Sequence, residues 1–356
     1  MKIAVVLGTR PEIIKMSPII RECAHRVLNY VVVHTGQHYS YEMDSIFFEE
    51  LELPKPKHNL GVGSGSHAEE TGKMLIAAEQ VLLDEQPDIV LVQGDTNSVL
   101  AGALAAAKLR IKIGHVEAGM RSYDRNMPEE INRVLTDHIS DHLFAATQNA
   151  RKTLLREGIP ENKVFVTGST VVEAISQCLD IASRKAKCEP DLNPSDYFLL
   201  TLHREENVDV QDRLANILSG LGMLSQELGL PVLWPAHPRT RRNLENFRLG
   251  IPSGVKVTKP VGFFEFLQLE KNAKLILTDS GGVQMEACIL RIPCVTLRHT
   301  TEWVETLEIG ANILAGCEPD DILRSVREML SRGNHWSNPF GDGTAARQTV
   351  DIITKR

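Results

Sequence analysis

Short apolar runs rich in β-branched residues alternate with longer amphipathic stretches from one end of the chain to the other. This alternation is typical of parallel sheets with crossover helices, so the sequence predicts an α/β fold. The predicted strands are apolar segments shorter than a helix and bounded by polar or turn residues. They are IAVVL, YVVVHT, DIVLVQ, IKIGHV, HLFAAT and KVFVTG in the N-terminal half, and YFLLTLH, PVLWPA, VKVTK, KLILTD, PCVTL and NILAG in the C-terminal half.

The two halves have similar strand content but share no obvious sequence period, so we expect two related domains and not a repeat. The length of 356 residues is also long for a single domain. A polar, Pro-containing segment, AKCEPDLNPSD, separates the halves and follows a predicted helix over 170–184. We predict an N-terminal domain over 1–168, joined by a C-terminal helix over 342–356, and a C-terminal domain over 169–341.

Charge and composition exclude several classes of protein. The net charge of −7 argues against a nucleic-acid or anionic-membrane partner, because such polyanions require a basic face. Apolar runs all fall short of the roughly 20 residues that span a bilayer, and the N-terminal run is too short for a signal peptide, so a cytoplasmic location is expected. The six cysteines have neither a CxxC pair nor a zinc-type spacing, so most should be buried apolar residues and no metal site is expected.

Two strand-to-helix turns have features of an anion site. Gly8-Thr9-Arg10 follows the run IAVVL, and Ser280-Gly281-Gly282 follows KLILTD. The free N–H groups of a helix start attract anions, and glycine lets the backbone approach them closely. Each turn alone also fits an ordinary packing turn, and neither has the spacing of a dinucleotide or P-loop motif. As a pair, the turns suggest that a diphosphate is held between them.

Carboxylates recur at strand ends, which is where open parallel sheets bind ligands. The surroundings of Asp95 fit helix capping as well as catalysis. Glu117 follows IKIGHV and should be partly buried, where a carboxylate needs a function or a partner. Glu129 and Glu130 begin a helix, as acidic residues often do. Three such carboxylates in one cleft cannot all ionise freely, so we expect one to have a raised pKa and to act as an acid.

Basic residues at other strand ends can neutralise a diphosphate without a metal ion. They are Arg10, Lys15, His203 and Arg204. The segment LGVGSGS at 60–66 is the most flexible stretch of the N-terminal half by composition, and it fits either a solvated surface loop or a loop that closes over ligand.

As a set, the motifs resemble those of the non-hydrolysing UDP-N-acetylglucosamine 2-epimerases. They run in order along nearly the whole chain: GTRPEIIK, QGDTNSVLAGALAA, GHVEAGMRS, PEEINRVLTDH, LHREEN, LTDSGGVQMEA and NPFGDG. The resemblance implies two Rossmann-like domains facing a cleft, the GT-B architecture, usually in a homodimer. It implies reversible conversion of UDP-N-acetylglucosamine to UDP-N-acetylmannosamine, by elimination and re-addition of UDP through a 2-acetamidoglucal intermediate, with no cofactor.

The same resemblance implies the site residues. Carbon 2 is not next to a carbonyl, so departure of UDP must make loss of its proton feasible, with positive charge on the diphosphate and carboxylates near the sugar. The resemblance gives catalytic roles to Asp95, Glu117, Glu129 and His203, and leaves open which carboxylate removes the proton. Arg133, one helical turn beyond Glu129, matches a family arginine able to hold that carboxylate. The implied substrate-binding residues are Arg10, Lys15, Arg133, Arg204, Ser280, Gly281, Gly282 and Glu286, the last on the ribose hydroxyls.

Two departures from the family pattern bear on regulation and substrate. The segment Gln37-His38-Tyr39-Ser40 stands where members with a second, allosteric substrate site have Gln-His-Arg-Gln. Trp303-Val304 stands where Arg-Pro is common, which looks like relatives that act on UDP-2,3-diacetamido-2,3-dideoxyglucuronic acid. Trp303 fits stacking on uracil or sugar and equally fits the core. The diacetamido-uronate thus stays an alternative substrate, and a hydrolysing epimerase or a GT-B glycosyltransferase stays an alternative function.

Overall fold

The structure, a computed structural model, describes residues 1–36, 41–185 and 193–355. The segment at 37–40, Cys188 and most of the linker AKCEPDLNPSD lie outside the described residues. The chain forms two compact units, of which unit 1 comprises Met1–Gln177 and Phe340–Arg356 and unit 2 comprises Cys178–Pro339. The domain boundaries given by the sequence, 1–168 with 342–356 and 169–341, stay a prediction.

Unit 1 is built on a seven-stranded parallel sheet. Its strands are β1 (Lys2–Leu7), β2 (Asn29–His34), β3 (His58–Asn59), β4 (Ile89–Gln93), β5 (Lys112–Ala118), β6 (His142–Ala145) and β7 (Val164–Val166). They lie in the order β3-β2-β1-β4-β5-β6-β7. Its helices are α1 (Arg10–His25), α2 (Tyr41–Glu50), α3 (His67–Glu85), α4 (Asn97–Lys108), α5 (Pro128–Ile139) and α6 (Gln148–Arg156), and α7 (Thr170–Lys185) runs on into unit 2.

Unit 2 repeats this plan with a six-stranded parallel sheet. Its strands are β8 (Phe198–Thr201), β9 (Val232–Pro235), β10 (Val255–Thr258), β11 (Leu275–Thr278), β12 (Cys294–Thr296) and β13 (Asn312–Leu314). They lie in the order β10-β9-β8-β11-β12-β13. The helices are α8 (Glu205–Val208), α9 (Gln211–Leu228), α10 (Pro238–Asn246), α11 (Phe263–Asn272), α12 (Gly281–Leu290), α13 (Val304–Glu308) and α14 (Pro319–Arg332).

The predicted α/β class with parallel sheets and crossover helices is confirmed, and every predicted strand is present. The central strands are buried along their length, as in β4, because helices cover both faces of a parallel sheet. Strand β3 was missed because it has only two residues and no apolar run. The last helix of the chain, α15 (Ala345–Thr354), packs on α1 in unit 1, where Arg26 Nη1 lies 2.5 Å from Asp351 Oδ1.

The glycine-rich segment 60–66 is hydrogen-bonded at its beginning. The N–H groups of Leu60 and Val62 donate to the carbonyls of His34 and Thr35, at 2.8 and 3.1 Å. These bonds continue the pairing of β2 with β3 beyond the strands themselves. Within the described part of the chain, no helix combines the length and the apolar character needed to cross a membrane. The cysteines of that part are buried, as expected, and form no disulfide with one another: Cys23, Cys178, Cys288, Cys294 and Cys317.

Candidate functional site

Both sheets reverse their strand order at a single point, between β1 and β4 in unit 1 and between β8 and β11 in unit 2. Ligands of open α/β sheets bind beyond the carboxyl ends of the strands at such a point. The turn at Gly8 and the residue Asp95 follow β1 and β4, and His203 and Ser280 follow β8 and β11. Sheet order therefore makes neighbours of residues that lie far apart in the sequence.

Glu117 at the end of β5 is paired with a lysine. Lys15 Nζ of α1 lies 2.8 and 2.9 Å from the two carboxylate oxygens, and Gln93 Nε2 donates to the same carboxylate at 3.0 Å. The Glu117 side chain is 13% exposed, so the expectation of partial burial with a partner is confirmed. Lys15, which the sequence assigned to the diphosphate, neutralises this carboxylate in the structure.

The backbone at Glu117 is irregular. Its φ is +68°, a backbone conformation that residues other than glycine adopt at a cost in free energy. The pairing of β5 with β6 also shifts register between Val116 and Ala118. A bulge of this kind turns one side chain out of the strand's regular alternation. The bulge is what directs the Glu117 carboxylate toward Lys15, and local sequence carried no sign of it.

Asp95, after β4, is paired with Arg133 of α5. Arg133 Nη1 also lies 2.9 Å from Glu130 Oε2, and its side chain is only 11% exposed. Burial by itself lowers the pKa of Arg133, but the carboxylates of Asp95, Glu130 and Glu117 raise it above its ordinary value. The expectation that Arg133 holds Glu129 is wrong, because the first turn of α5 directs Glu130 inward and leaves Glu129 exposed.

Glu130 is a structural anchor. Its carboxylate accepts hydrogen bonds from the N–H groups of Ser122 and Tyr123, at 2.9 and 3.0 Å, and from the Ser122 hydroxyl. These bonds fix the loop that leads from β5 to α5. Arg133 thereby links this loop to Asp95.

The turn at Gly8-Thr9-Arg10 is closed by the protein itself. The carboxylate of Glu12 accepts the N–H groups of Gly8 and Thr9, at 3.0 and 2.7 Å, and the hydroxyl of Thr96 at 2.8 Å. A Cβ at Gly8 would collide with the hydroxyls of Thr35 and Ser98. The N–H groups of Gly8 and Thr9 are therefore already hydrogen-bonded, which favours the packing-turn alternative for this part of the turn, and the role of Arg10 stays a prediction.

Glu12 was missed as a residue of this site. It is 2% exposed, and burial raises its pKa to about 7, against the lowering effect of the hydrogen bonds from Thr9, Thr96 and Gly8. The signal in the sequence was the capping-box spacing Thr9-x-x-Glu12 at the helix start. The guanidinium of Arg10 lies 4.4 Å from the centre of the Phe47 ring, a cation–π contact.

A buried network of hydrogen bonds and ion pairs connects β5 to its neighbouring elements. His115 Nδ1 lies 2.7 Å from Asp137 Oδ1, and its Nε2 lies 2.8 Å from the carbonyl of Gly94, the residue before Asp95. Arg121 Nη2 lies 2.7 Å from the other Asp137 oxygen. Although burial raises it, the pKa of Asp137 lies below its usual range because His115 and Arg121 stabilise the carboxylate. The network fixes the turn at Gly94 relative to the strand that carries Glu117.

In unit 2, His203 is oriented by a buried aspartate that sequence reasoning did not assign to the site. His203 Nδ1 lies 2.9 Å from Asp279 Oδ1, and Asp279 also accepts the N–H groups of His203 and Arg204, at 3.1 and 2.9 Å. Burial raises the pKa of Asp279, but the hydrogen bond and charge of His203 lower it below its usual range. Asp279 is fully buried whereas His203 is half exposed, so the imidazole edge that bears Nε2 is the outer one.

The turn Ser280-Gly281-Gly282 begins α12 and carries a nearby carboxylate. Glu302 lies so close to Gly281 that a Cβ there would collide with Glu302 Oε1. Arg298 Nη1 lies 3.0 Å from Glu302 Oε2, and Arg204 Nη2 lies 3.7 Å from its Oε1. Burial raises the pKa of Glu302, and Arg298 and Arg204 outweigh that effect and lower it. A larger residue at 281 would therefore displace the Glu302 carboxylate.

The remaining predicted residues lie on or next to α12. Gly282 is exposed and Glu286 is half-buried on the same helix. Trp303 is 5% exposed, which corresponds to the core-filling alternative. The roles predicted for the site residues stay predictions, and Gln37–Ser40 lies outside the described residues. Over the ranges that the structure describes, His, Cys, Asp and Glu side chains do not form a group of three suited to a metal ion.

Taken together, the structure is a two-unit, parallel-sheet α/β protein with charged groups at the strand ends of both switch points. The family model for UDP-N-acetylglucosamine 2-epimerase matches residues 21–354. The chain belongs to the UDP-N-acetylglucosamine 2-epimerase family.

Individual relatives cover the full length. The chain is 55% identical to a UDP-N-acetylglucosamine 2-epimerase of Methanocaldococcus jannaschii, over 99% of each chain. It is 42% identical to a UDP-2,3-diacetamido-2,3-dideoxy-D-glucuronate 2-epimerase of Pseudomonas aeruginosa, over 100% of each. A crystal structure of the M. jannaschii UDP-GlcNAc 2-epimerase in complex with UDP-GlcNAc and UDP superposes with a TM-score of 0.88, at 55% identity and 99% coverage of both chains.

Proposed function

We propose that the protein is an isomerase that interconverts UDP-N-acetylglucosamine and UDP-N-acetylmannosamine. The observation that carries the proposal is the pairing of Glu117 with Lys15 beside the pairing of Asp95 with Arg133, at the ends of adjacent strands. Carboxylates act as proton acceptors in general base catalysis, and Lys15 and Arg133 supply counter-charges for these two. The relatives that share 55% identity with the chain support UDP-N-acetylglucosamine as the substrate.

The proposed reaction is an elimination followed by an addition. A carboxylate of unit 1 takes the proton from carbon 2, the carbon 2–hydrogen electron pair becomes the carbon 1–carbon 2 double bond, and the carbon 1–oxygen bond breaks to release UDP. UDP then adds to carbon 1 of the 2-acetamidoglucal while a proton is delivered to the opposite face of carbon 2. Atoms and electrons balance without a redox partner. Asp95, Glu117 and Glu129 are the proposed carboxylates of this step.

Unit 2 supplies the proposed contacts to UDP. The start of α12 at Ser280–Gly282 offers backbone N–H groups to the diphosphate, with Arg204 adding positive charge, and Glu286 accepts the ribose hydroxyls. His203, oriented by Asp279, stabilises negative charge on the departing group. Arg10 is a further proposed UDP-binding residue.

Deuterium incorporation tests the reaction. The purified protein is incubated with UDP-N-acetylglucosamine in deuterium oxide, and proton NMR follows carbon 2 while phosphorus NMR follows UDP. We expect loss of the carbon 2 proton signal, formation of UDP-N-acetylmannosamine and little free UDP. An unlabelled carbon 2 would overturn the proposal. Stoichiometric UDP together with free N-acetylmannosamine would identify a hydrolysing epimerase.

The runner-up substrate is UDP-2,3-diacetamido-2,3-dideoxyglucuronic acid. Two observations favour it, namely Trp303-Val304 in place of Arg-Pro and the 42% identity to an epimerase named for that sugar. The Trp303-Val304 observation is the weaker of the two, because Trp303 is buried and a buried ring does not select the sugar by direct contact. Measuring kcat/KM for both nucleotide sugars with one enzyme preparation decides between them.

We also propose a cytoplasmic homodimer, as the family resemblance implies. Large apolar side chains exposed on two helices of unit 1 support self-association: Ile76 and Leu83 on α3, and Ile131 and Leu135 on α5. Light scattering after size-exclusion chromatography would give twice the monomer mass of 39.6 kDa. A monomer at micromolar concentration would contradict the assembly without affecting the proposed reaction.

A further inference from the structure

Unit 2 contains a carboxyl group in an apolar environment that the proposed reaction does not use. Glu270, in the last turn of α11, is 0% exposed. Its neighbours Leu269 and Ala273 belong to a buried apolar cluster that also includes Val283 and Ala287 of α12. Both carboxyl oxygens of Glu270 are buried, and among the described residues neither has a conventional donor as partner.

The group that Glu270 does face is a second carboxyl. Glu286 of α12 lies within hydrogen-bonding reach of Glu270. Two ionised carboxylates in contact inside an apolar cluster would cost several kcal/mol, because each loses its hydration and each repels the other. Burial, followed by the proximity of Glu286, raises the pKa of Glu270 well above its ordinary value. One proton shared by the pair satisfies both groups, with the Glu270 hydroxyl donating to Glu286.

The two carboxyl groups differ in their exposure to solvent. Glu286 is half-buried whereas Glu270 is fully buried, so the proton belongs on Glu270 and the negative charge on Glu286. Glu286 also lies little more than one helical turn after Gly281. Other titratable groups near the pair are Cys294 and Cys288, and burial raises the pKa of both thiols, so they remain neutral.

We infer that buried, protonated Glu270 is a positioning residue, which donates a hydrogen bond to Glu286 and holds it as the ionised acceptor for the ribose hydroxyls of the uridine nucleotide. This rests on the proposed function, in which Glu286 contacts the ribose. A Glu286 carboxylate with one oxygen engaged by Glu270 has a fixed orientation, so less side-chain entropy is lost when ribose binds. In this arrangement the ribose hydroxyls donate to the Glu286 carboxylate from the side opposite Glu270.

The test uses ligands that differ only in the ribose. Calorimetry gives the ratio of affinities for UDP and for 2′,3′-dideoxyuridine diphosphate, in the wild type and in variants at pH 7. In Glu270→Leu, which removes the donor, we expect the ratio to fall about ten-fold through weaker UDP binding, with dideoxy-UDP binding unchanged. Glu270→Gln keeps an N–H donor and should retain most of the ratio. Glu265→Leu, at an exposed position of the same helix, is the matched control and should leave the ratio unchanged.

Infrared spectroscopy supplies a readout independent of binding. We expect the wild type to show the carbonyl band of a protonated carboxylic acid at pH 7, and Glu270→Gln to lack that component. Absence of this difference, or an unchanged ratio in a folded Glu270→Leu protein, would overturn the inference. If Glu270→Leu does not fold, Glu270→Met, which also lacks a donor, takes its place in the affinity measurement.

A further variant separates this inference from the proposed function. Should Glu286→Gln leave the preference for UDP over the dideoxy ligand intact, the ribose contact itself is wrong and the inference falls with it. Should Glu286→Gln lose the preference while Glu270→Leu keeps it, only the role of Glu270 is wrong. The epimerisation of UDP-N-acetylglucosamine is tested separately by deuterium incorporation.

Discussion

Lys15 Nζ is bonded to both oxygens of Glu117, across 102 positions of the sequence. The sequence assigned the lysine to a diphosphate and the glutamate to the sugar. Their direct pairing changes the expected role of the lysine, which becomes the counter-charge of a proposed catalytic carboxylate. Since the Lys15 side chain is 25% exposed and that of Glu117 13%, the pair is partly shielded from water and interacts more strongly than a surface ion pair.

Replacing Lys15 separates the two roles. If Lys15 supports Glu117, Lys15→Met should lower kcat about 100-fold, because the proposed base loses its partner. The dissociation constant of UDP should then stay within about two-fold of the wild-type value. Lys15→Arg, which keeps the charge, serves as the control and should retain most of the activity. Weaker UDP binding by ten-fold or more with kcat preserved would restore the phosphate role. Steady-state kinetics and calorimetry measure the two quantities.

The His203–Asp279 pair predicts that replacing the buried Asp279 lowers kcat through its effect on His203. Asp279→Asn should lower kcat by about 100-fold, because the amide no longer holds the His203 ring in its orientation as the carboxylate does. Asp212→Asn, at an exposed position of α9 in the same unit, is the control and should leave kcat unchanged. Comparable rates in Asp279→Asn and wild type would remove His203 orientation from the mechanism.

Asp279 also makes an acid-dependent contribution to stability. Its pKa is lower in the folded protein than in the unfolded chain, so the carboxylate stabilises the fold above its ordinary pKa and this contribution is lost as pH falls through the native value. The difference in unfolding free energy between wild type and Asp279→Asn should therefore shrink as pH is lowered from 7 toward 3. Urea denaturation at several pH values measures it.

Glu12 has the opposite pH dependence. Its native pKa of about 7 exceeds the ordinary 4.5, so the folded protein binds the extra proton and stability falls as pH rises between these values. In Glu12→Gln this decline should be smaller, by up to about 3 kcal/mol over the interval. Glu69→Gln, which alters an exposed carboxylate of α3, is the comparison and should not reduce the decline. If the unfolding free energies of wild type and Glu12→Gln fell equally with rising pH, the raised pKa of Glu12 would be contradicted.

Because Glu302 lies beside Gly281, we expect that removing its charge strengthens UDP binding. A diphosphate at the first turn of α12 would meet this carboxylate, and two unit charges about 4 Å apart repel by about 4 kcal/mol near a protein surface before screening. Glu302→Gln should therefore bind UDP roughly ten-fold more tightly. The exposed Glu245→Gln of α10 is the control. Ten-fold weaker binding in Glu302→Gln would instead make Glu302 a direct ligand of the nucleotide.

Much of this molecule is determined by local sequence. Apolar runs such as IAVVL and DIVLVQ gave the strands, because residues covered on both sheet faces must be apolar throughout. The strand-end rule then brought Asp95, Glu117 and His203 into consideration, since polar residues directly after buried strands are unusual unless they bind or catalyse. Family resemblance supplied the reaction and the identities of most proposed contacts.

Pairings were decided by the tertiary structure. The family resemblance implied that Arg133 holds Glu129, but Arg133 pairs with Glu130, whose carboxylate also accepts the N–H group of Ser122. At the first turn, the buried carboxylate of Glu12 accepts the N–H groups of Gly8 and Thr9, a pairing that the turn motif alone does not reveal. The partners Lys15 and Glu117, and likewise Glu270 and Glu286, lie on different elements. Sequence determines which residues can be buried or charged, whereas their partners depend on strand order, a bulge and helix packing, which arise only when distant segments meet.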